Sequence, residues 1–518
     1  MEPENQAAES PARARPVLLA SVFAVAACGL VYELVAGAIS SYLLGDAVTQ
    51  FSLVVGVFLC AMGLGSYLSK FITKRLLEVF VELEIWIGLV GGLSSVFMFA
   101  VNAYAAPVFP VIFYVLCALI GTMVGLEIPL LVRILKDGSG VTSALSHVLA
   151  LDYVGALAGA LAFPLLVLPL LGLSRASVVF GIMNLAVAGA GIALLKGDRR
   201  FVTGRLAAAS VLLAGVAFAA PGLTSYLEDL LYQDSIVFSR DSRYQHIVIT
   251  RWRDDVRLFL NGHLQFSSVD ESRYHEALVI PAMEAAADKR SVLILGGGDG
   301  LAAREVLKYG RVQSITLVDL DPEMTRLGRE RPELLKINGG SLKSPKVRVV
   351  SDDAMRFLEG DRGFYDVIIA DLPDPSSETL SKLYSLQFYE LAFRRLSGGG
   401  VFVTQATSPF YAREAFWCIK ATMSAASQGE PAAAVGGILS YHADVPSFGD
   451  WGFLMLARRP VSAASLSVSV PARFLRDDVM RAMFVFGSDI AELPSSVNRL
   501  DDPVLYRLHK RGWERFDR

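Results

Sequence analysis

The chain has 518 residues, a mean hydropathy of +0.46 and only 19% charged residues, which is too apolar for a wholly soluble enzyme of that size. A formal net charge of −3 and the lack of a dense Lys/Arg tract exclude a protein that tracks nucleic-acid phosphates. Of four cysteines, Cys28, Cys60 and Cys117 lie in apolar runs and Cys418 stands alone, so reduced thiols and a metal-free site are expected.

The average conceals two unlike halves that meet near residue 222. A helix needs ~20 apolar residues to cross a hydrocarbon core, and such runs lie at 17–40, 50–69, 79–102, 108–132, 144–171 and 176–196, with a weaker one from Leu206 to Leu223. The first is no signal peptide, because apolar sequence continues past a normal h-region and another span follows. Basic residues fall in every second connection: Arg13 and Arg15; Lys70, Lys74 and Arg75; Arg133 and Lys136; Lys196, Arg199, Arg200 and Arg205. The positive-inside rule makes those ends cytoplasmic. Six spans then leave the C-terminal half in the cytoplasm, and seven put it outside. Glu33, Glu127 and Asp152 are acids in apolar runs, read equally as a cation or proton path or as interface and inter-helix hydrogen-bonding groups. Small residues in "GALAGALAF" suit close helix packing.

The second half opens with alternating segments at 235–239, 244–252 and 256–268, where Asn261-Gly262 signals a hairpin. From Ser291 strands alternate with helices through "SVLILG", "SITLVDLD", "VRVVSDD", "YDVIIADLPDP" and "GGGVFVTQATS". That alternation predicts a doubly wound, mainly parallel sheet with ligands at the carboxyl ends of its strands.

Gly296, Gly298 and Gly300 let a ligand approach the backbone, and Asp319 ends the next strand, where a carboxylate can accept ribose hydroxyls. The turn also fits a dinucleotide fingerprint, so nicotinamide or flavin must be weighed. Further acids stand at strand ends: Asp352, Asp353, Asp371 and Asp374. Asp299, Asp319, Asp353 and Asp371 are expected to converge on one crevice. Such a cluster repels a pyrophosphate and attracts cations, which suits a sulfonium nucleoside beside a polyamine. Tyr384 and Tyr389 read as core packing, and Gln405 as a cap on the sheet.

The ordered segments "YQ" at 244–245, "LNGHLQ", "DESRYHEAL", "LILGGGDG", "VDLD", "YDVIIADLPDP", "LYSLQFY" and "GGGVFVTQATSP" resemble the spermidine synthase family of polyamine aminopropyltransferases over roughly 235–460. The apolar half is similar to the membrane-integrated bacterial branch of that family. The resemblance implies aminopropyl transfer from decarboxylated S-adenosylmethionine, a co-substrate, to an amine such as putrescine, with no permanently bound cofactor and no metal. It implies that Gln245 and Asp319 hold nucleoside and ribose, Asp353 with Ala354 the adenine, and Asp299 the amine of the aminopropyl group, with Gly296, Gly298 and Gly300 shaping the turn. Tyr244, His275 and Asp374 would lie along the polyamine, and Asp371 would be the base. Asp299 then repels the carboxylate of intact S-adenosylmethionine, which distinguishes the turn from that of a methyltransferase.

Three departures stand out. Ser376-Ser377-Glu378 occupies a segment usually rich in glycine and proline, Phe448 stands where a tyrosine is expected, and Leu372-Pro373 replaces small polar residues. The expected fold class is a multi-pass α-helical membrane domain followed by an α/β Rossmann-like, methyltransferase-type domain with a small N-terminal β-hairpin subdomain. The divisions are a tail at 1–15, six to seven transmembrane helices over 16–223, a β subdomain at 224–290, a catalytic domain at 291–460 and a helical extension at 461–518, which could pack on the soluble domain or on the membrane face. The expected partners are a small polyamine and the lipid bilayer of the cell membrane, with the catalytic domain on the cytoplasmic side, no nucleic acid, and a homo-oligomer left open. The rival readings are an S-adenosylmethionine-dependent methyltransferase, and a polyamine transporter or sensor whose soluble domain only binds.

Overall fold

The computed structural model describes residues 9–44, 47–136, 140–195, 199–232, 234–428 and 436–516. The chain divides into two compact units, Met1–Ile236 and Val237–Arg518. Lys196 and the first half of the expected N-terminal tail lie outside the described residues.

The first unit is helical: α1 (Glu9–Leu44), α2 (Ala47–Leu68), α3 (Leu76–Ala105), α4 (Phe109–Leu135), α5 (Val141–Ala162), α6 (Leu168–Leu194) and α7 (Arg200–Tyr232). Five stretches among the described residues are long and apolar enough to cross a membrane, Arg15–Leu44, Thr49–Phe71, Leu76–Leu135, Val141–Leu194 and Arg200–Ala219. The third and fourth each contain two helices. Gly172, at φ 69° and ψ 177°, breaks the last of these near its middle, where the two expected spans meet. The weak seventh run is a full member of the bundle: Leu206 lies against Gly189 of α6 and Leu213 against Gly181, so α7 runs antiparallel along α6.

Glycines set how closely the helices approach. A Cβ on Gly155 would lie 2.3 Å from the carbonyl oxygen of Phe23 on α1, and one on Gly65 of α2 would lie 2.0 Å from that of Thr122 on α4. The bundle's outer surface carries exposed Leu59, Val111, Val115, Leu165, Leu170, Val211 and Phe218. Its interior holds a polar chain. Tyr32 donates to Asn184 Oδ1 (3.1 Å), and Asn184 donates to Glu84 Oε2 (2.8 Å). Glu127 of α4 lies within hydrogen-bonding reach of Glu84.

The second unit begins with a four-stranded sheet in the order β1-β2-β3-β4: β1 (Ser235–Asp241), β2 (His246–Trp252), β3 (Asp255–Leu260) and β4 (His263–Ser267). Asn261 and Gly262 both take positive φ, 51° and 81°, at the tight β3–β4 turn. Helix α8 (Glu271–Ala285) leads into the main sheet, whose strands are β5 (Ser291–Gly296), β6 (Ser314–Asp319), β7 (Val347–Ser351), β8 (Tyr365–Asp371), β9 (Leu396–Gln405), β10 (Gly437–Val445) and β11 (Gly449–Ala457). Their order is β10-β11-β9-β8-β5-β6-β7. The first five are parallel and the last two antiparallel, so this is a Rossmann-like sheet of mixed strands.

The intervening helices are α9 (Leu301–Leu307), α10 (Pro322–Glu330), α11 (Pro332–Asn338), α12 (Ala354–Gly360), α13 (Glu378–Ser381), α14 (Leu386–Arg394) and α15 (Arg413–Gln428), followed by α16 (Asp477–Ala482) and α17 (Val504–Trp513). Their starts follow local chemistry. Asp321, Asp353 and Ser385 each accept a backbone N–H at the first turn of α10, α12 and α14. Strand residues such as Leu293, Ile294, Ile368 and Ile369 are fully buried because both faces of the sheet are covered. The C-terminal extension packs on this unit: the Glu276 carboxylate accepts the backbone N–H groups of Arg473, Phe474 and Leu475 at 2.6, 2.8 and 2.9 Å.

Candidate active site

Strand order reverses at β5, which has β8 on one side and β6 on the other. In open α/β sheets that switch point is where ligands bind. Gly296 lies in register with Asp371, at φ 84°. A Cβ there would sit 2.0 Å from the Asp371 carbonyl oxygen, so only glycine fits. A Cβ on Gly297 would meet the Asp371 carboxylate at 3.1 Å, and one on Gly298 the Asp319 carboxylate at 2.6 Å. The turn therefore brings three carboxyl groups together. The Gly298 N–H donates to Asp319 Oδ2 (2.9 Å), the Asp321 N–H to Asp319 Oδ1 (2.8 Å), and the Leu301 N–H to Asp299 Oδ1 (2.8 Å).

Asp371 is held by α8. Tyr274 Oη donates to its Oδ1 at 2.9 Å, and His275 Nε2 lies 4.0 Å from its Oδ2. Burial pushes Asp371 up to about 6, with His275 and the Tyr274 hydroxyl opposing the rise and Asp299 adding to it. Burial likewise raises Asp319 to about 6 and lifts Asp299. A chain of paired charges lies behind them. His275 Nδ1 faces the Glu271 carbonyl (2.8 Å) and carboxylate (3.2 Å), and Arg304 grips both oxygens of that carboxylate at 2.9 and 2.8 Å. Burial works against charging His275, but Glu271 and Asp371 outweigh it and raise the imidazole to about 9. Burial also opposes ionisation of Glu271, which His275 and Arg304 nonetheless hold near 2.

The remaining expected residues are more spread out. Asp374 lies three residues beyond Asp371 and accepts from Gln405 Nε2 (3.2 Å), Thr407 Oγ1 (3.4 Å) and His509 Nε2 (3.2 Å). Gln405 does more than cap the sheet, since it also bonds to Leu372 O and Tyr384 Oη. Gln245 donates to Asp321 Oδ2 at 3.0 Å, so Asp321 links it to the Asp319 turn. Tyr244 is exposed on the β1–β2 connection. Asp353, one strand further out and just past the end of β7, caps α12 and bonds Lys382 Nζ (2.7 Å). Burial would raise it, but Lys382 and the Arg356 N–H keep it below the usual carboxylate value. Its neighbour Ala354 opens α12 and is buried. His275 is deeper than a residue lining an open channel, at 2% exposure. Phe448 packs edge-on to Tyr274 at 6.1 Å.

Sequence reasoning missed Tyr274, Glu271 and Arg304, although the first two stand in "DESRYHEAL". It also missed His509, which no local pattern marks.

Residues 271–448 match the family model described as a spermine/spermidine synthase domain. The chain is 44% identical over 501 residues to a polyamine aminopropyltransferase of Leptospira interrogans, covering 96% of this chain and 99% of that one. It is 44% identical over 514 residues to polyamine aminopropyltransferase 2 of Ralstonia nicotianae, covering 97% and 99%. Among solved structures, a spermidine synthase in complex with the transition-state analogue AdoDATO aligns with a TM-score of 0.44 and 24% identity, over 49% of this chain and 85% of that one. Kinship at this identity along nearly the whole length is decisive, and the chain belongs to the polyamine aminopropyltransferase family.

Proposed function

We propose that the chain moves the aminopropyl group of decarboxylated S-adenosylmethionine to an amine such as putrescine, with Asp371 as the general base. The observation that carries the assignment of the base is its setting: a buried carboxylate at the switch point, hydrogen-bonded to Tyr274 and raised to about 6. Such a group is ionised at neutral pH yet basic enough to accept a proton. Asp319, flanked by the Gly298 and Asp321 N–H groups, takes the ribose. Gln245 acts on the nucleoside from beside Asp321, Asp353 with Ala354 edges the adenine, and Asp299 pairs with the ammonium of the aminopropyl group.

A free alkylamine has a pKa near that of lysine, about 10, and arrives protonated. Desolvation in the cleft lowers that value, and Asp371 accepts the proton. The nitrogen lone pair then forms a bond to the aminopropyl carbon while the carbon–sulfur bond breaks, its electron pair staying on sulfur as neutral methylthioadenosine. His275 holds the charge of Asp371 in place, and Arg304 with Glu271 fixes His275. Tyr244 and Asp374 serve the acceptor amine. Positioning and general-base assistance, the latter typically ~10²–10⁴-fold, carry the rate.

We assign 16–223 to a multi-pass membrane domain, 224–290 to a β subdomain, 291–460 to catalysis and 461–518 to a helical extension. Support for the membrane reading comes from five stretches long and apolar enough to cross a bilayer and from the large apolar side chains exposed on the first unit. The C-terminal half is placed on the cytoplasmic face, where adenosyl co-substrates are made. Seven crossings then leave all four sets of basic ends, those near Arg15, Lys70, Arg133 and Arg200, on the outer face, against the charge rule. In a Cys60→Ser background, Arg253→Cys should resist a membrane-impermeant thiol reagent in intact cells, and labelling from outside would overturn the placement.

The function itself is tested by mass spectrometry of products formed from decarboxylated or intact co-substrate with a panel of amines. Transfer of an aminopropyl unit is expected, lost in Asp371→Asn with nucleoside binding retained. A methylated product would refute it, as would an Asp371→Asn variant that keeps most of its rate.

A further inference from the structure

Asp374 is surrounded by donors from two distant parts of the chain. Gln405 and Thr407 come from the end of β9 and the residues after it. His509 comes from α17, 135 residues beyond Asp374, and is 7% exposed. Facing a carboxylate, which only accepts, Nε2 must carry the proton of that bond. The helix is fixed where it stands: Leu505 is fully buried, Trp513 stacks on Tyr411 at 4.9 Å, and Asn498 Nδ2 donates to the carbonyls of Ser381 and Tyr384. The Tyr384 hydroxyl in turn bonds Pro373 O (2.9 Å), within the loop that presents Asp374. The extension thus holds both a donor to this carboxylate and the loop on which it sits.

A carboxylate offers about four lone-pair sites. Gln405 uses one on Oδ1, while Thr407 and His509 fill both on Oδ2. About one site remains for a ligand. Resting on the aminopropyltransferase reading above, we propose that His509 is a specificity-determining residue for the acceptor. By occupying Oδ2, it limits Asp374 to a single hydrogen bond from one ammonium of the amine and so favours diamines over more highly charged triamines.

The experiment uses the full chain in detergent with putrescine and spermidine as acceptors, and reads kcat/KM for each together with the KM for the adenosyl co-substrate. His509→Ala frees a lone pair on Oδ2 and should raise the spermidine-to-putrescine ratio of kcat/KM about tenfold, the effect of one hydrogen bond to a charged group. The co-substrate KM should stay unchanged. His509→Gln, whose amide nitrogen can reach the place of Nε2, should return the ratio to near wild type. Thr407→Val frees the same oxygen without touching α17 and should shift the ratio in the same direction, so the idea survives a failure of His509→Ala to fold. A parallel loss on both acceptors, an unmoved ratio, or a glutamine variant that behaves like alanine would overturn the role of His509 alone. If the wild-type chain transfers no aminopropyl group to any amine, the function reading falls first.

Discussion

The Tyr274→Phe variant isolates one hydrogen bond to the base. Tyr274 is buried against Phe453 (5.5 Å) and His275 (5.0 Å), and phenylalanine keeps that packing. The change removes only the 2.9 Å bond to Asp371 Oδ1. A hydrogen bond to a charged group contributes ~1.5–3 kcal/mol, and about 1.4 kcal/mol moves a titration midpoint by one pH unit. Because the hydroxyl stabilises the ionised carboxylate, its loss raises the Asp371 midpoint from about 6 to roughly 7–8.

The sign follows directly. The base form exists above its midpoint, so activity is lost as pH falls through it, and the variant loses it earlier. With the midpoint near 7.5, the ionised fraction near pH 6.5 drops from about three quarters to about one tenth, whereas near pH 8.5 it stays above about nine tenths. Profiles of kcat/KM against pH for wild type and variant should therefore differ by roughly eightfold near pH 6.5, by more at lower pH, and converge at the alkaline end. An acid limb that stays in place, or a deficit equal at every pH, refutes the assignment of Asp371 as the titrating base.

Three further outcomes are expected. Gly296→Ala forces a Cβ to 2.0 Å from a backbone oxygen at φ 84°, and should cost more than ~1 kcal/mol, seen as a lower melting temperature of the full chain in detergent. Arg304→Met strips a buried carboxylate of its bidentate partner and should destabilise by ~3–5 kcal/mol, with a matching fall in chemical-denaturation midpoint. Asn184→Leu leaves Glu84 Oε2 without its 2.8 Å donor in the bundle interior. It should cost about 1–3 kcal/mol, read as earlier thermal aggregation in detergent, whereas unchanged aggregation would mean that the bond adds nothing.

What the sequence reveals is what neighbouring residues encode. The strand–turn–helix at 291–307, the hairpin at Asn261-Gly262 and the break at Gly172 are local events, and each is written in a few adjacent residues. Asp299, Asp319 and Asp371 could be placed together because parallel strands deliver their carboxyl ends to one edge. The pattern that marks strand ends cannot say which way a side chain turns. Strand position alone therefore groups Asp353 with the other acids, although its carboxylate goes to Lys382. Pairings across long separations leave no local trace. Arg304 meets Glu271 from 33 residues away, Asn184 meets Glu84 from 100, and His509 meets Asp374 from 135. Glu84 does not stand out because "VELEIWIG" reads as an interrupted apolar run, with nothing to show that its partner lies on α6. The tail had amphipathic helices and no catalytic signature, so its docking face became visible only with Glu276 and Asn498 in view.

The docking of the tail also sets the order in which the surroundings of Asp374 are completed. Gln405 and Thr407 are translated before His509, so Asp374 gains its third side-chain donor only once α17 has been made. Proteolytic loss of α17 would return Asp374 to its condition before that helix is made, with one donor fewer on Oδ2.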